Sequence, residues 1–175
     1  LLTDCALNIW PNLMDKRDIV QNAIEFAQAL GIDSPNVAIL SAIETINDKL
    51  KSTLDAAALC KMADRKQIVG GFLDGPLAFD NAISEEAAKI KQLNSPVAGK
   101  ADILIAPDLE AGNLLAKQLQ YLAKAKLAGL VVGAKVPIAL TSRADHLEAR
   151  IVSCALGQLY RQSLFQFNKT CNPVC

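Results

Sequence analysis

The chain has 175 residues, the size of one ordinary domain, so a large multidomain architecture is excluded for this chain. Hydrophobic residues make up 51% of it, which is enough for a sizeable core without metal or disulfide crosslinks. The 18 basic and 18 acidic side chains give no net charge, and the longest apolar run, residues 127–134, is far shorter than the ~20 residues of a membrane span. We therefore expect a cytoplasmic protein with neither a nucleic-acid nor a membrane partner.

Short apolar runs alternate with longer segments of helical periodicity, which is typical of an α/β fold. In chain order, the predicted strands are Leu1–Leu7, Asn36–Ser41, Gln67–Leu73, Asp102–Ala106, Ala128–Gly133 and Pro137–Thr141. The predicted helices between and after them are Asn12–Leu30, Thr53–Asp64, Asp80–Gln92, Leu109–Lys124 and Ala144–Arg161. Several of the strands are apolar on both faces, as in a parallel sheet that is covered by helices on each side. The pattern predicts a three-layer α/β/α domain with a mainly parallel sheet.

Two of the predicted helices carry additional local signals. Ser84 is followed by two glutamates, which is typical of a helix N-terminus and competes with Asp80 as the start of the third helix. The last helix has an apolar stripe that we expect to pack against another part of the protein. The residues of this stripe are Leu147, Ile151, Cys154, Ala155 and Leu159.

The sequence lacks the usual signatures of metal and dinucleotide sites. It has five cysteines, no CxxC pair and one histidine, so structural zinc is disfavoured and reduced thiols are expected. Neither a GxGxxG nor a Walker spacing is present, so nucleotide binding by those two loops is not supported. We expect neither a metal nor a resident cofactor.

Ligands of open α/β sheets bind outside the carboxyl ends of the strands, where helix N-termini present unpaired N–H groups. Three predicted strand-to-helix junctions offer suitable side chains: GGFLDGPLAFDNAIS at 70–84, DILIAPDLEAGN at 102–113 and TSRAD at 141–145. In the second junction, Asp108 and Asn113 are candidate ligand-binding residues, although Asp108 also suits a helix cap.

The TSRAD junction has two interpretations. Arg143 is suited to bind phosphate through two parallel hydrogen bonds beside a helix N-terminus. Ser142 and Asp145, three residues apart, also have the spacing of a capping box, which would make them structural. The residues alone leave both interpretations open.

Five segments in one order resemble the phosphate acetyl/butyryltransferase family. They are LLTDCALN at 1–8, STLDAAALCKMADR at 52–65, GGFLDGPLAFDNAIS at 70–84, ADILIAPDLEAGNLLAKQL at 101–119 and VPIALTSRAD at 136–145. The resemblance implies a sheet topology like that of isocitrate and isopropylmalate dehydrogenases. It also implies that this chain is the C-terminal half of a two-domain, homodimeric enzyme.

In such an enzyme the chain would divide into three parts. Residues 1–128 would form the second α/β domain. Residues 129–162 would supply strands and a helix that return to a first domain, most of which is absent. Residues 163–175, which hold two of the five Phe and two of the five Cys, would form an atypical tail.

The resemblance implies interconversion of acyl-CoA plus phosphate with acyl phosphate plus CoA. Ser142 and Arg143 match the Ser-Arg pair of the family, so Arg143 would hold the phosphoryl group and Ser142 would donate to the developing oxyanion. Asp145 is the nearest carboxylate for the catalytic base. The expected substrate-binding residues are Arg143, Cys5, Asp108 and Asn113.

Two alternatives to this interpretation remain open at the level of sequence. One is a catalytically incomplete ligand-binding or dimerisation fragment of such an enzyme. The other is a related acyltransferase that uses acyl carrier protein, which the neutral net charge disfavours because such a partner would need a basic docking face.

Overall fold

One parallel sheet organises the chain. The computed structural model describes residues 1–170. Its elements are β1 (Leu2–Thr3), α1 (Leu13–Ala29), β2 (Asn36–Leu40), α2 (Lys51–Asp64), β3 (Phe72–Leu77), α3 (Phe79–Ile83), α4 (Glu85–Ile90), β4 (Ile103–Ile105), α5 (Leu109–Tyr121), β5 (Leu130–Val131), β6 (Ile138–Ala139) and α6 (Leu147–Thr170). The first four strands pair in the order β1-β4-β2-β3, and every neighbouring pair is parallel. β5 and β6 form a separate antiparallel ribbon.

Buried side chains form two clusters on opposite faces of the sheet. On one face, α1 and α2 pack on Val37 and Ile39 of β2. On the other face, α3, α4 and Leu115 of α5 pack around Ala38 and Leu40 of the same strand. Successive residues of a strand point to opposite faces, so β2 contributes to both clusters. This arrangement confirms the predicted three-layer α/β/α fold.

All six strands differ from the prediction at their boundaries, and β3 and β1 have physical reasons that the structure shows. β3 was expected at Gln67–Leu73 but lies at Phe72–Leu77, because the Asp-Gly-Pro segment that resembles a turn continues the strand. β3 is an edge strand, where proline is tolerated. A Cβ on Gly75 would lie 2.8 Å from the carbonyl oxygen of Ile39, so β2 approaches too closely for a larger residue. β1 is also shorter than expected, since the chain turns at Asp4.

Ser84 divides the helix that was predicted as one segment over Asp80–Gln92. It ends α3, and its hydroxyl accepts a hydrogen bond from the backbone N–H of Ala87 to cap α4. The capping signal at Ser84 was therefore correct. Asp80 lies inside α3 rather than at the start of a long helix.

The apolar stripe of the last helix is not buried by the described residues. Every residue of the apolar stripe is exposed, and Leu147 is 72% exposed. α6 packs instead through Tyr160, whose ring meets that of Phe26 edge-on at 5.3 Å, and through buried Ser153, whose hydroxyl accepts from the N–H of Gly129. The helix runs through Thr170, so part of the predicted tail is helical, whereas residues 171–175 lie outside the described part of the chain.

In the described range, no helix combines the length and the apolar character needed to cross a lipid bilayer.

A buried ion pair joins α1 to α2 near the carboxyl edge of the sheet. Lys16 Nζ lies 2.8 Å from Asp55 Oδ2, and the two side chains are 6% and 10% exposed. Lys51, an exposed residue, reaches the same oxygen at 2.6 Å. Although desolvation raises the pKa of Asp55, the hydrogen bonds and charges of the two lysines hold that pKa below its ordinary value. Asp55 therefore depends on lysine contacts to remain ionised where it is buried.

Replacing the buried lysine is expected to cost more stability than replacing the exposed one. Lys16→Met leaves the Asp55 carboxylate without its buried partner, which we expect to lower the free energy of unfolding by about 3 kcal/mol. Lys51→Met removes an exposed partner and should cost less than about 1 kcal/mol. Urea denaturation of both variants measures the difference, and equal losses would contradict a structural role for the buried pair.

At acidic pH, the difference in unfolding free energy between the wild type and Lys16→Met should decrease. The folded pKa of Asp55 is depressed, so its contribution is present above the unfolded value of 3.8 and is lost as the pH falls through the folded pKa. Denaturation curves from neutral pH to about pH 2 should show the wild type losing more stability than the variant. A difference in unfolding free energy that stays constant over that range would contradict a depressed pKa of Asp55 in the folded protein.

Candidate functional site

The loops that follow β1 and β4 lie side by side at the carboxyl edge of the sheet, and we call the position between them the crevice. These two strands are neighbours, with Leu2 opposite Leu104 and Thr3 opposite Ile105. β1 leads to α1 on one face, and β4 leads to α5 on the other. In open α/β folds, the position where adjacent parallel strands send their connections to opposite faces is the usual place for a ligand.

The carboxylate of Asp4 organises the loop between β1 and α1. It accepts hydrogen bonds from the backbone N–H groups of Ala6, Leu7 and Asn8 at 2.8–3.0 Å and from the Asn8 side chain at 2.6 Å. Desolvation raises the pKa of Asp4, but these hydrogen bonds outweigh it and hold the pKa below its ordinary value. Asp4 therefore acts as an ionised anchor for the loop.

Three of the predicted substrate-binding residues come together at this crevice. Asn113 Nδ2 donates to the backbone carbonyl of Cys5 at 3.1 Å, which ties α5 to the β1 loop. Asp108 caps α5 through a 2.9 Å hydrogen bond from the N–H of Ala111. Burial and the nearby charge of Asp4 raise the pKa of the Cys5 thiol to about 11. Cys5 therefore stays protonated at neutral pH, which fits a binding residue better than a nucleophile.

The predicted Ser-Arg-Asp site forms a hydrogen-bonded turn before α6. Asp145 Oδ2 accepts from the N–H of Ser142 at 2.6 Å, and its Oδ1 accepts from Nε2 of Gln120 at 3.1 Å. Desolvation raises the pKa of Asp145, but these hydrogen bonds and the charges of Lys117 and Arg150 lower it overall. The carboxylate is thus engaged within a turn, but α6 begins only at Leu147, so Ser142 does not cap this helix as the capping interpretation of TSRAD expected.

The six predicted site residues form two groups in the described structure. Asn113 lies in the first turns of α5 and Gln120 in its last turn, seven residues or about 10 Å further along the helix. The first group, at the crevice, is Cys5, Asp108 and Asn113. The second group, at the far end of α5, is Ser142, Arg143 and Asp145. Their catalytic and binding roles stay predictions.

A polar network at the ends of β2 and β3 was not singled out from the sequence. The fully buried Asn81 donates through Nδ2 to Oε2 of Glu44 at 3.3 Å, and Lys91 Nζ bridges Glu44 at 3.2 Å and Asp80 at 3.1 Å. Asn81 Oδ1 is buried without a hydrogen-bond partner. Asp80 and Asn81 lie within the junction at 70–84, which was considered for its glycines and proline, and Glu44 lies in a loop whose pattern carries no signal.

Over residues 1–170, the side chains of His, Cys, Asp and Glu form no group of three that could hold a metal ion.

Comparison with protein families gives a match over most of the chain. Residues 1–157 match the family model described as phosphate acetyl/butaryl transferase. The chain belongs to the phosphate acetyl/butyryltransferase family. The family match agrees with the resemblance of the five sequence segments.

Individual members of the phosphate acetyl/butyryltransferase family are similar over nearly the whole chain. The chain is 64% identical to the phosphate acetyltransferase of Rhizobium meliloti, covering 91% of this chain and 50% of that protein. It is 52% identical to a probable phosphate butyryltransferase of Bacillus subtilis (strain 168), covering 89% of this chain and 52% of that protein. The chain thus spans about half the length of the curated relatives it matches.

A solved structure of the family has the same fold. The crystal structure of a branched-chain phosphotransacylase from Enterococcus faecalis V583 superposes with a TM-score of 0.84 at 41% sequence identity. The match covers 91% of this chain and 57% of that one. It supports the three-layer architecture around the crevice.

Replacing two helical glycines with alanine should have opposite effects on the free energy of unfolding. A Cβ on Gly112 would clash with the carbonyl oxygen of Asp4, so Gly112→Ala should separate α5 from the β1 loop and cost about 1–3 kcal/mol. Among the described side chains, a Cβ on Gly157 in α6 would meet Cδ1 at the flexible end of Leu130 at 3.3 Å, which must move by a few tenths of an ångström, and Cβ of Pro137 at 3.7 Å. Gly157→Ala should therefore gain up to about 1 kcal/mol from helix propensity. Urea denaturation tests both changes, and an unimpaired Gly112→Ala variant would show that the close approach is not required.

Proposed function

We propose that this protein is a phosphate acyltransferase, which interconverts acyl-CoA plus phosphate with acyl phosphate plus CoA. The observation that carries the proposal is the 64% identity to a named phosphate acetyltransferase over 91% of the chain. Relatives named for acetyl and for butyryl transfer both match, so the proposal covers short acyl groups as a class. Membership in a family of named transferases favours this function over an incomplete binding or dimerisation fragment.

The proposal extends to the whole protein. Because the chain spans about half of its curated relatives, the activity, the homodimer and the cytoplasmic location are proposed for the full-length protein. The substrates are acyl-CoA or CoA and phosphate or acyl phosphate. The proposed reaction needs no metal or resident cofactor, since the CoA thiol itself is the nucleophile.

In the proposed reaction, the CoA sulfur forms a bond to the acyl carbon of the acyl phosphate. The bond from that carbon to the phosphate oxygen breaks, and phosphate leaves with the electron pair. Arg143, which is exposed at the turn before α6, binds the phosphoryl group. The Ser142 hydroxyl donates to the acyl oxygen as its negative charge develops.

The proton of the thiol passes to Asp145 in this scheme. A thiol with a pKa of about 8.5 is already a few per cent ionised at neutral pH, so only modest help from a general base is required. The hydrogen bonds from Ser142 and Gln120 keep Asp145 ionised and therefore able to accept a proton, although they weaken it as a base. The same contacts hold Ser142 in place.

Removal of the Arg143 guanidinium should weaken phosphate binding. In the full-length protein, Arg143→Ala should lower the turnover rate by about ten- to a hundredfold and raise KM for phosphate more than KM for CoA. Ser142→Ala should lower kcat with little change in either KM, because its bond strengthens only when the oxyanion forms. Steady-state kinetics with varied phosphate and varied CoA measure both effects.

Arg65→Ala is the matched control, since Arg65 is exposed at the C-terminal end of α2, away from the carboxyl edge. Its kinetics should equal those of the wild type. If Ser142→Ala and Arg143→Ala lower only the unfolding free energy and leave the kinetics intact, both residues have a structural role only. If the full-length protein forms no acyl phosphate from acetyl-, propionyl- or butyryl-CoA, the alternative of a catalytically incomplete ligand-binding or dimerisation protein is favoured instead.

A further inference from the structure

A cavity of about 540 Å³ lies between the C-terminal end of α5, the segment 124–128 and the first two turns of α6. Cavities that bind small molecules have volumes in this range, and they are lined mainly by apolar side chains with a few polar groups among them. The cavity therefore has the size of a small-molecule site.

The cavity adjoins the turn that carries the proposed reaction residues. Gln120, which lines the cavity, donates to Asp145 Oδ1 at 3.1 Å, and the other carboxylate oxygen of Asp145 accepts from the N–H of Ser142. Ala144 and His146, the two sequence neighbours of Asp145, also line the cavity. A substrate whose reacting carbon lies at Ser142 therefore has this cavity beside it.

Apolar side chains line the cavity from both sides. Leu127 contributes from the segment after α5, and Ala149 and Val152 contribute from α6. Lys126 and Glu148 also line the cavity, but both side chains are exposed and their charges neutralise each other in an ion pair of 2.6 Å. An alkyl chain that enters the cavity would leave water for apolar surroundings, which is favourable.

We propose that this cavity holds the acyl group of the substrate and that Val152 limits the length of the acyl chain. The inference rests on the proposed function, which places the acyl carbon at Ser142. Among the parts of the proposed substrates, the alkyl chain of the acyl group is wholly apolar, whereas phosphate is charged and the pantetheine arm of CoA carries amide groups. The cavity is larger than an acetyl group, so the enzyme should also accept butyryl groups.

A larger side chain at position 152 should shorten the cavity. Val152 is 43% exposed, so a phenylalanine there does not overpack a core. In the full-length protein, Val152→Phe should lower kcat/KM for butyryl phosphate about ten- to a hundredfold more than kcat/KM for acetyl phosphate. The same discrimination should appear between butyryl-CoA and acetyl-CoA in the reverse reaction, because the acyl groups are the same.

A smaller side chain at the same position should have the opposite effect. Val152→Ala should raise kcat/KM for hexanoyl-CoA relative to acetyl-CoA by about fourfold for each further methylene that is buried. The matched control is Leu159→Phe, which adds a ring to an exposed position of α6 about 10 Å beyond Val152. This control should leave the ratio of butyryl to acetyl activity unchanged. Such a ratio, measured on one variant, does not depend on the fraction of the protein that is folded.

The acyl pocket is overturned if Val152→Phe lowers kcat/KM for the acetyl and butyryl substrates equally, or leaves both unchanged. A higher KM for CoA without discrimination between acyl groups would overturn it as well, because it would assign the cavity to the pantetheine arm. In each of these cases an active wild-type enzyme leaves the proposed function standing. A wild-type protein that transfers no acyl group would remove the proposed function and this inference with it.

Discussion

The shared direction of four strands is the constraint on which the rest of the described structure depends. Because β1, β4, β2 and β3 are parallel, each must be followed by a connection that returns over a face of the sheet. Each connection also leaves from the same edge, so short polar segments that are far apart in sequence meet there. The crevice between β1 and β4 is one result, and the Glu44–Asn81–Lys91 network at the ends of β2 and β3 is another.

Carboxylates in the loops that precede the helices of this chain mainly accept hydrogen bonds that hold the backbone in place. Asp4 gathers the N–H groups of its own loop, Asp108 caps α5, and Asp145 joins Ser142 to Gln120. Each of these acceptors satisfies donors that would otherwise be exposed at a loop or a helix start. The loops around the crevice are consequently ordered by hydrogen bonds.

The fold could be predicted from local patterns, whereas the arrangement of the site could not. The alternation of strands and helices, together with strands that are apolar on both faces, correctly predicted a three-layer α/β/α fold. The capping signal at Ser84 was also correct. In sequence, Gly75 and Pro76 indicate a turn. In the structure they lie within β3, because β2 packs so closely on Gly75 that no side chain fits there, and such a tertiary contact leaves no signal in the local pattern. Amphipathic periodicity likewise indicated an apolar stripe on α6 but not that Ser153 and Tyr160 would be the buried residues. The separation of Ser142 from Cys5 follows from the contacts at the two ends of α5, where Asn113 binds Cys5 and Gln120 binds Asp145, and periodicity does not give such tertiary contacts.

Hydrogen–deuterium exchange in the full-length protein, with and without CoA and phosphate, tests most directly whether the crevice between β1 and β4 binds the substrates. Ligand should slow the exchange of backbone amides in residues 4–12 and 106–113 at the crevice and in residues 141–145, where Ser142 and Arg143 are proposed to act. The turn at residues 65–71 follows α2 at the opposite edge of the sheet and should exchange at the same rate in both states. Protection of residues 65–71 without protection of residues 4–12 and 106–113 would contradict the account.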